Sequence, residues 1–151
     1  MRSLVVATLY GRGGLQKSAE AVHEGDLPAG KRLDQVEGVV VPVLGQLIAR
    51  YARHLTDRSA LTVPAVLAGL GIAVHHTMPW SEPKAAFRTD DLVRLLDDIH
   101  WEREAKYWDG IAAKAGTSGC LNCSGVKDSG GRVADAILYP ATETGRRIRG
   151  L

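Results

Sequence analysis

Large side chains and sulfur are scarce in this chain. Aromatic residues fill 5% of its 151 positions, and phenylalanine occurs once. A core must therefore be made mainly from Val, Leu, Ile and Ala, which suits helix packed on helix. Two cysteines exclude the disulfide framework of a small secreted domain. Pro, Gly or charge interrupts every apolar run well before the ~20 residues of a membrane span. The opening MRSLVVATLYGRGG lacks the long apolar region and small-residue cleavage site of a signal peptide, so the expectation is a cytoplasmic protein with no membrane partner. A strong excess of one charge is also missing, since 19 basic against 17 acidic residues leave +2. That balance does not demand a nucleic-acid partner, and it leaves room for a local basic patch.

Catalytic signatures are missing as well. No Ser-His-Asp arrangement is apparent, and the pairs Asp90-Asp91 and Asp97-Asp98 fall on capping or solvated positions rather than as an acid and a base. GRGG at 11–14 and SGG at 129–131 lack the strand–helix context and the lysine of a phosphate loop. A non-enzymatic role is expected.

What is present is helical periodicity. The length fits a single domain over 1–151, and a chain of this size buries roughly 68–70% of its extended surface. Residues 3–10 form a short apolar segment readable as helix or strand, and EGDLPAGK at 24–31 is a loop by composition. Val36, Val40, Val43, Leu44, Leu47, Ile48 and Tyr51 recur at three and four, with Asp34 as N-cap, Glu37 in capping-box position and Pro42 as a kink. RYARHLTDR at 50–58 is the basic end of that helix, where cations suit the helix dipole. Thr62 with Pro64 starts a second helix, in which Val66, Leu67, Leu70, Gly71 and Val74 form a narrow apolar face and Gly69 and Gly71 imply close approach by a neighbour. Thr89 starts a third, with the stripe Leu92, Leu95, Leu96 and Ile99.

HWEREAKYWDG at 100–110 holds two of the three tryptophans. On one straight helix Trp101 and Trp108 would share a face roughly opposite the leucine stripe, at ~100° per residue. Either that helix is central, or the chain turns near Ile99–His100 and the tryptophans pack elsewhere. Trp101, Tyr107 and Trp108 read as an aromatic corner under a loop, with base stacking as the alternative. Asp109-Gly110 is a turn. Beyond it the composition predicts a β-containing tail over 109–151 appended to a helical body over 1–108. IAAKAG and RVADAILYP read as short strands flanking a loop insertion at 116–131, and a helix closes the chain. The fold expected is mainly α, with a short β-hairpin or two strands and a terminal helix.

Cys120-Leu-Asn-Cys123 is the one motif with chemical potential. Its spacing lets two thiolates reach one zinc ion, with His75, His76, His100 or a second chain supplying the remaining ligands, and it also permits redox cycling. A glycine-rich loop is the wrong setting for a thioredoxin-like pair, and His75-His76 reads as a helix-end cap. The zinc reading makes the chain a protein-interaction or homo-oligomerisation domain. Arg132, Arg146, Arg147 and Arg149 form a local basic cluster whose guanidinium forks suit phosphate oxygens.

LVRLLDDIHWEREAKYWDGIAAKAG followed by GGRVADAILYPATETGRRI resembles the C-terminal part of the DndB family, the DGQHR-domain proteins of DNA phosphorothioate (sulfur) modification. The matching positions are Ile99, Trp101, Trp108, Gly110, Gly131, Arg132 and Val133, with Asp109 in place of a Glu. The resemblance covers roughly 60–151 and, more faintly, 36–58. The DGQHR signature is absent, EAK replaces an Asn-Pro between the tryptophans, and the cysteines lie in an insertion before Gly131-Arg132-Val133. The resemblance implies a C-terminal fragment or truncated relative. It also implies a regulatory or accessory role, with DNA or proteins of the modification system as partners and the arginine cluster as contact surface.

Overall fold

The computed structural model describes residues 1–16, 24–115, 121–123 and 126–151. Their helices are α1 (Arg2–Tyr10), α2 (Leu33–Tyr51), α3 (Pro64–His75), α4 (Thr89–Asp97), α5 (Ala105–Trp108), α6 (Val126–Leu138) and α7 (Glu143–Arg147). Two three-residue strands, β1 (Ala113–Ala115) and β2 (Leu121–Cys123), pair antiparallel with Ala113 opposite Cys123. The fold is mainly α. Among the described residues no helix is long and apolar enough to cross a membrane.

The sequence PAVLAGLGIAVH gives α3 no polar face, so it can be stable only when enclosed. α1 packs on one side of it and α6 on another. Both approaches depend on glycine. A methyl at Gly69 would overlap the Val133 side chain of α6 and come within 2.9 Å of the Gly130 carbonyl. One at Gly71 would stand 2.5 Å from the Leu4 carbonyl of α1. The expectation of a close neighbour at these two glycines is met by two different helices.

α2 is amphipathic, with Val36, Val40, Leu44, Leu47 and Tyr51 buried, while Val43 is half-buried and Ile48, expected on the same face, is exposed. Its start differs from the expected one. The chain becomes helical at Leu33, so Asp34 lies in the first turn, where its carboxylate binds the Arg32 guanidinium at 3.0–3.1 Å. Gln35, rather than Glu37, reaches back to the Arg32 amide at 3.0 Å. Pro42 sits on the exposed side, where the carbonyl it leaves unpaired faces water. Before α3 the cap is likewise displaced by one residue. Val63 precedes Pro64, while the Thr62 hydroxyl donates to Ser59 O at 2.8 Å.

The largest correction is in the tail. RVADAILYP is not a strand, because residues 126–138 are helical as α6. Val133, Ala134, Ala136 and Ile137 are buried while Asp128 and Arg132 are exposed, a spacing of three and four that belongs to a helix. Val133 and Ile137 join the same core as Leu70 and Leu96, so this segment supplies a wall of the helical body instead of an appendage. The second strand is Leu-Asn-Cys at 121–123, inside the expected loop. The closing helix is present as α7, capped by the Thr142 hydroxyl, which accepts from the Gly145 amide at 3.1 Å.

Gly69→Ala is expected to destabilise the fold by about 1–3 kcal/mol through overpacking against α6. Gly45→Ala, in mid-α2 with nothing within 4 Å of the added methyl, is expected to stabilise it by about 0.5–1 kcal/mol. Urea denaturation of the two variants beside the parent checks both signs.

Candidate functional site

α4 stops at Asp97, and the chain then runs without helix through Ile99–Glu104 before the single turn of α5. Of the two arrangements left open by the sequence, the turn near Ile99–His100 is the one adopted. It brings Trp101 and Trp108 together as stacked rings, 6.0 Å between centroids and 22° apart in plane. Trp108 is fully buried and its indole N–H donates to His100 O at 3.1 Å. Trp101 is buried too, with Tyr51 tilted against it at 6.0 Å. Its indole N–H finds no acceptor among the described residues. The half-buried Tyr107 ring stacks on His100 at 4.6 Å, and Lys106 Nζ lies 4.7 Å from its centroid. Gly150, at φ +71°, lies against this His100–Tyr107 stack.

The corner is pinned on two sides. Ala60 donates to Trp101 O at 2.7 Å and Arg103 to Arg58 O at 2.9 Å, so residues 58–60 run beside 101–103. On the other side the His100 amide donates to Ile148 O at 2.8 Å. Nearby, Asp97 receives both Arg50 Nε and Nη2, at 2.9 and 2.6 Å, and the Tyr51 hydroxyl at 2.8 Å. The arginine hydrogen bond holds the Asp97 carboxyl below its usual range, while burial pushes the Tyr51 phenol up.

The four arginines of the basic cluster do not share one surface. Arg132 is exposed on α6, with Nη2 donating to Ser129 Oγ at 3.0 Å and Nε to Ile111 O at 3.4 Å. Arg146 is exposed on α7, and Arg147 is half-buried. Arg149 is inside the protein. Its Nη1 donates to Ala136 O (3.0 Å) and Gly145 O (2.8 Å), its Nη2 to Leu95 O (2.9 Å) and Ile137 O (3.0 Å). Ala136 and Ile137 lie in the last turn of α6 and Leu95 in the last turn of α4, where carbonyls have no partner within the helix. One guanidinium thus caps two helices, and burial lowers its pKa. Arg149 is a structural residue and leaves the proposed contact surface.

Of the cysteine motif, Cys120 lies outside the described residues and Cys123 is placed by its backbone as the last residue of β2. The histidines considered as its co-ligands are occupied separately. His75 Nδ1 is 3.0 Å from Thr8 O, His76 packs edge-on against Phe87, and His100 lies on Tyr107 with Nδ1 3.4 Å from Glu102. Among the described residues no three His, Cys, Asp or Glu side chains gather as metal ligands would.

Two hollows meet at Trp101. One is a tight apolar groove of about 30 Å³, walled by side chains that include Leu44, Leu47, Leu70 and Leu96. The other is larger and more open, about 130 Å³, lined by Arg53, His54, Thr56, Arg58, Ser59, Trp101 and Glu102. The sequence showed RYARHLTDR only as a basic helix end. Nothing in its spacing signals that it faces residues 101–102.

The chain matches no protein-family model, no curated protein and no solved structure.

Arg149→Ala is expected to cost about 2–4 kcal/mol, since buried carbonyls on two helices lose charge-assisted donors. Arg149→Lys should recover only part of that, because an ammonium cannot reproduce the planar fork. Thermal and urea unfolding of the two variants measures the difference.

Proposed function

We propose that this chain is a non-enzymatic accessory module of a DNA-modification system, DndB-like in character, that engages DNA through basic residues near its C-terminal helix. The observation carrying this reading is where the positions of the resemblance fall. Ile99, Trp101, Trp108 and Val133 are buried in one core, Gly110 takes φ +72° in the turn after α5, and Arg132 bonds to Ile111 O beside that turn. Residues that support a joint in this way specify a shape, so a likeness confined to them supports a shared architecture. The end of α7 packs on the same joint through Gly150, leaving Arg146 exposed beside it. The working contact surface is Arg132, Arg146 and Arg147, without Arg149. A module of this kind acts in the cytoplasm, alongside other proteins of its system.

Affinity for a labelled duplex should fall as salt rises, because guanidinium–phosphate pairing releases counterions. Arg146→Ala with Arg147→Ala should lower affinity and reduce the salt slope by about one for each arginine that no longer meets a phosphate. Absence of duplex binding by the folded chain at low salt defeats the reading.

A second reading, a homo-oligomerisation domain with zinc held by Cys120 and Cys123, is favoured by one feature of α2. Val41, Gly45 and Ile48 lie on one outward side, with Val41 62% and Ile48 39% exposed and open space around Gly45. Another copy of the chain suits this surface, since two-fold pairing of α2 places it against itself. Light scattering on the purified chain should then give a dimer that Val41→Glu with Ile48→Glu renders monomeric. Zinc analysis should give metal that Cys120→Ser removes. A metal-free monomer defeats this second reading.

A further inference from the structure

The tight apolar groove at Trp101 lies under α2, and the way that helix is held accounts for it. α1 and α6 come close to α3 through Gly71 and Gly69, and among the described residues α2 makes no comparably close approach to any helix. Its own glycines, Gly38 and Gly45, meet nothing within 4 Å. Contact with the body is made instead by the large side chains Leu44, Leu47 and Tyr51, which hold the helix off and leave a crevice beneath it. The bonds from Arg50 and the Tyr51 hydroxyl to Asp97 fix the C-terminal end of α2 to α4, so the crevice keeps its shape.

The walls expose almost no polar atom. The Tyr51 hydroxyl is spent on Asp97 and on Val93 O at 3.3 Å, and the Trp101 indole N–H is enclosed by protein. A polypeptide segment laid in such a groove would leave its backbone N–H and C=O groups without partners, whereas a hydrocarbon chain needs none. Apolar hollows stay dry and take up apolar guests. A volume of about 30 Å³ holds about two or three groups the size of a water, at ~10–15 Å³ each, which is room for the end of a chain. One side is open. Met1, Ile48 and Leu55 line the groove and are nevertheless 64%, 39% and 42% exposed. Large apolar side chains gathered in water mark a surface that a ligand covers, and here they extend the groove outward. That shape suits a chain whose far end stays in solvent.

We propose that the groove between α2 and the helical body binds the alkyl chain of a small amphiphile. The chain end lies among Leu44, Leu47, Leu70 and Leu96, and the polar head stays in water beyond Met1, Ile48 and Leu55. The site is separate from the α7 arginines and does not depend on the DNA reading given to them.

Methyl NMR of the full chain titrated with 1-butanol, 1-pentanol and 1-hexanol tests the site. Saturable shifts are expected at the leucine methyls of the groove, with 1-hexanol bound at ~1 mM or tighter. Affinity should rise about fourfold for each added methylene. Leu67 lines the groove and is only half-buried, so Leu67→Phe keeps the fold, narrows the groove and should weaken 1-hexanol about tenfold. Leu55→Gln, at the exposed rim, should weaken it several-fold. Val41→Gln, on α2 outside the lining, should leave it unchanged. No saturable shift at ~10 mM 1-hexanol, affinity indifferent to chain length, or binding unchanged in the Leu67→Phe/Leu55→Gln double variant overturns the proposal. Methyl shifts that follow protein concentration and not the alcohol put a second copy of the chain in the groove, and overturn it as well.

Discussion

Helix α3 has nowhere to put water. From Pro64 to Val74 every residue is apolar or glycine, so the other helices are placed by the need to cover it, and the cover must come close. Gly69 lets α6 in and Gly71 lets α1 in. Each approach replaces a side chain with backbone packing, which raises density without adding bulk. A chain with few aromatic side chains has little other means of filling a core, and close helix approach compensates for the missing volume.

The rest of the architecture closes this three-helix centre. α4 and α6 end near one another, and the carbonyls they leave unpaired would be a cost if buried alone. Arg149 removes that cost at both ends with one planar group. The aromatic corner then ties residues 58–60, 99–108 and 148–150 into one joint, through backbone bonds to Trp101 and His100 and the packing of Gly150 on the His100–Tyr107 stack. The largest side chains are thus used where chain segments cross, while the helical centre is built from small ones.

Periodicity made α2, α3 and α4 legible in the sequence, because each buries one or more faces along an unbroken run. Thr89 was legible as the first residue of α4, and the start of α2 was less so. Asp34 is a good capping residue by type, yet the Arg32 amide and Gln35 take that role just ahead of it. RVADAILYP misleads because Val133, Ile137 and Tyr139 suit a strand, whereas the burial of Val133, Ala134, Ala136 and Ile137 follows the spacing of a helix. Arg149 looks like its neighbours Arg146 and Arg147. Its role depends on which carbonyls lack partners, and no local pattern encodes that. The open hollow is hidden for a similar reason, since its two walls are far apart in the chain and meet only through pairing of 58–60 with 101–103.

The stacked indoles of Trp101 and Trp108 have an optical consequence. Two indoles held at this separation in a fixed orientation give a near-ultraviolet circular-dichroism signal that is lost when the rings part. Because the rings come from a non-helical segment and a helix, the signal reports whether that joint is closed, independently of how much helix the molecule contains. The protein therefore carries its own spectroscopic marker at the place where its segments meet, next to the cavity that Trp101 lines.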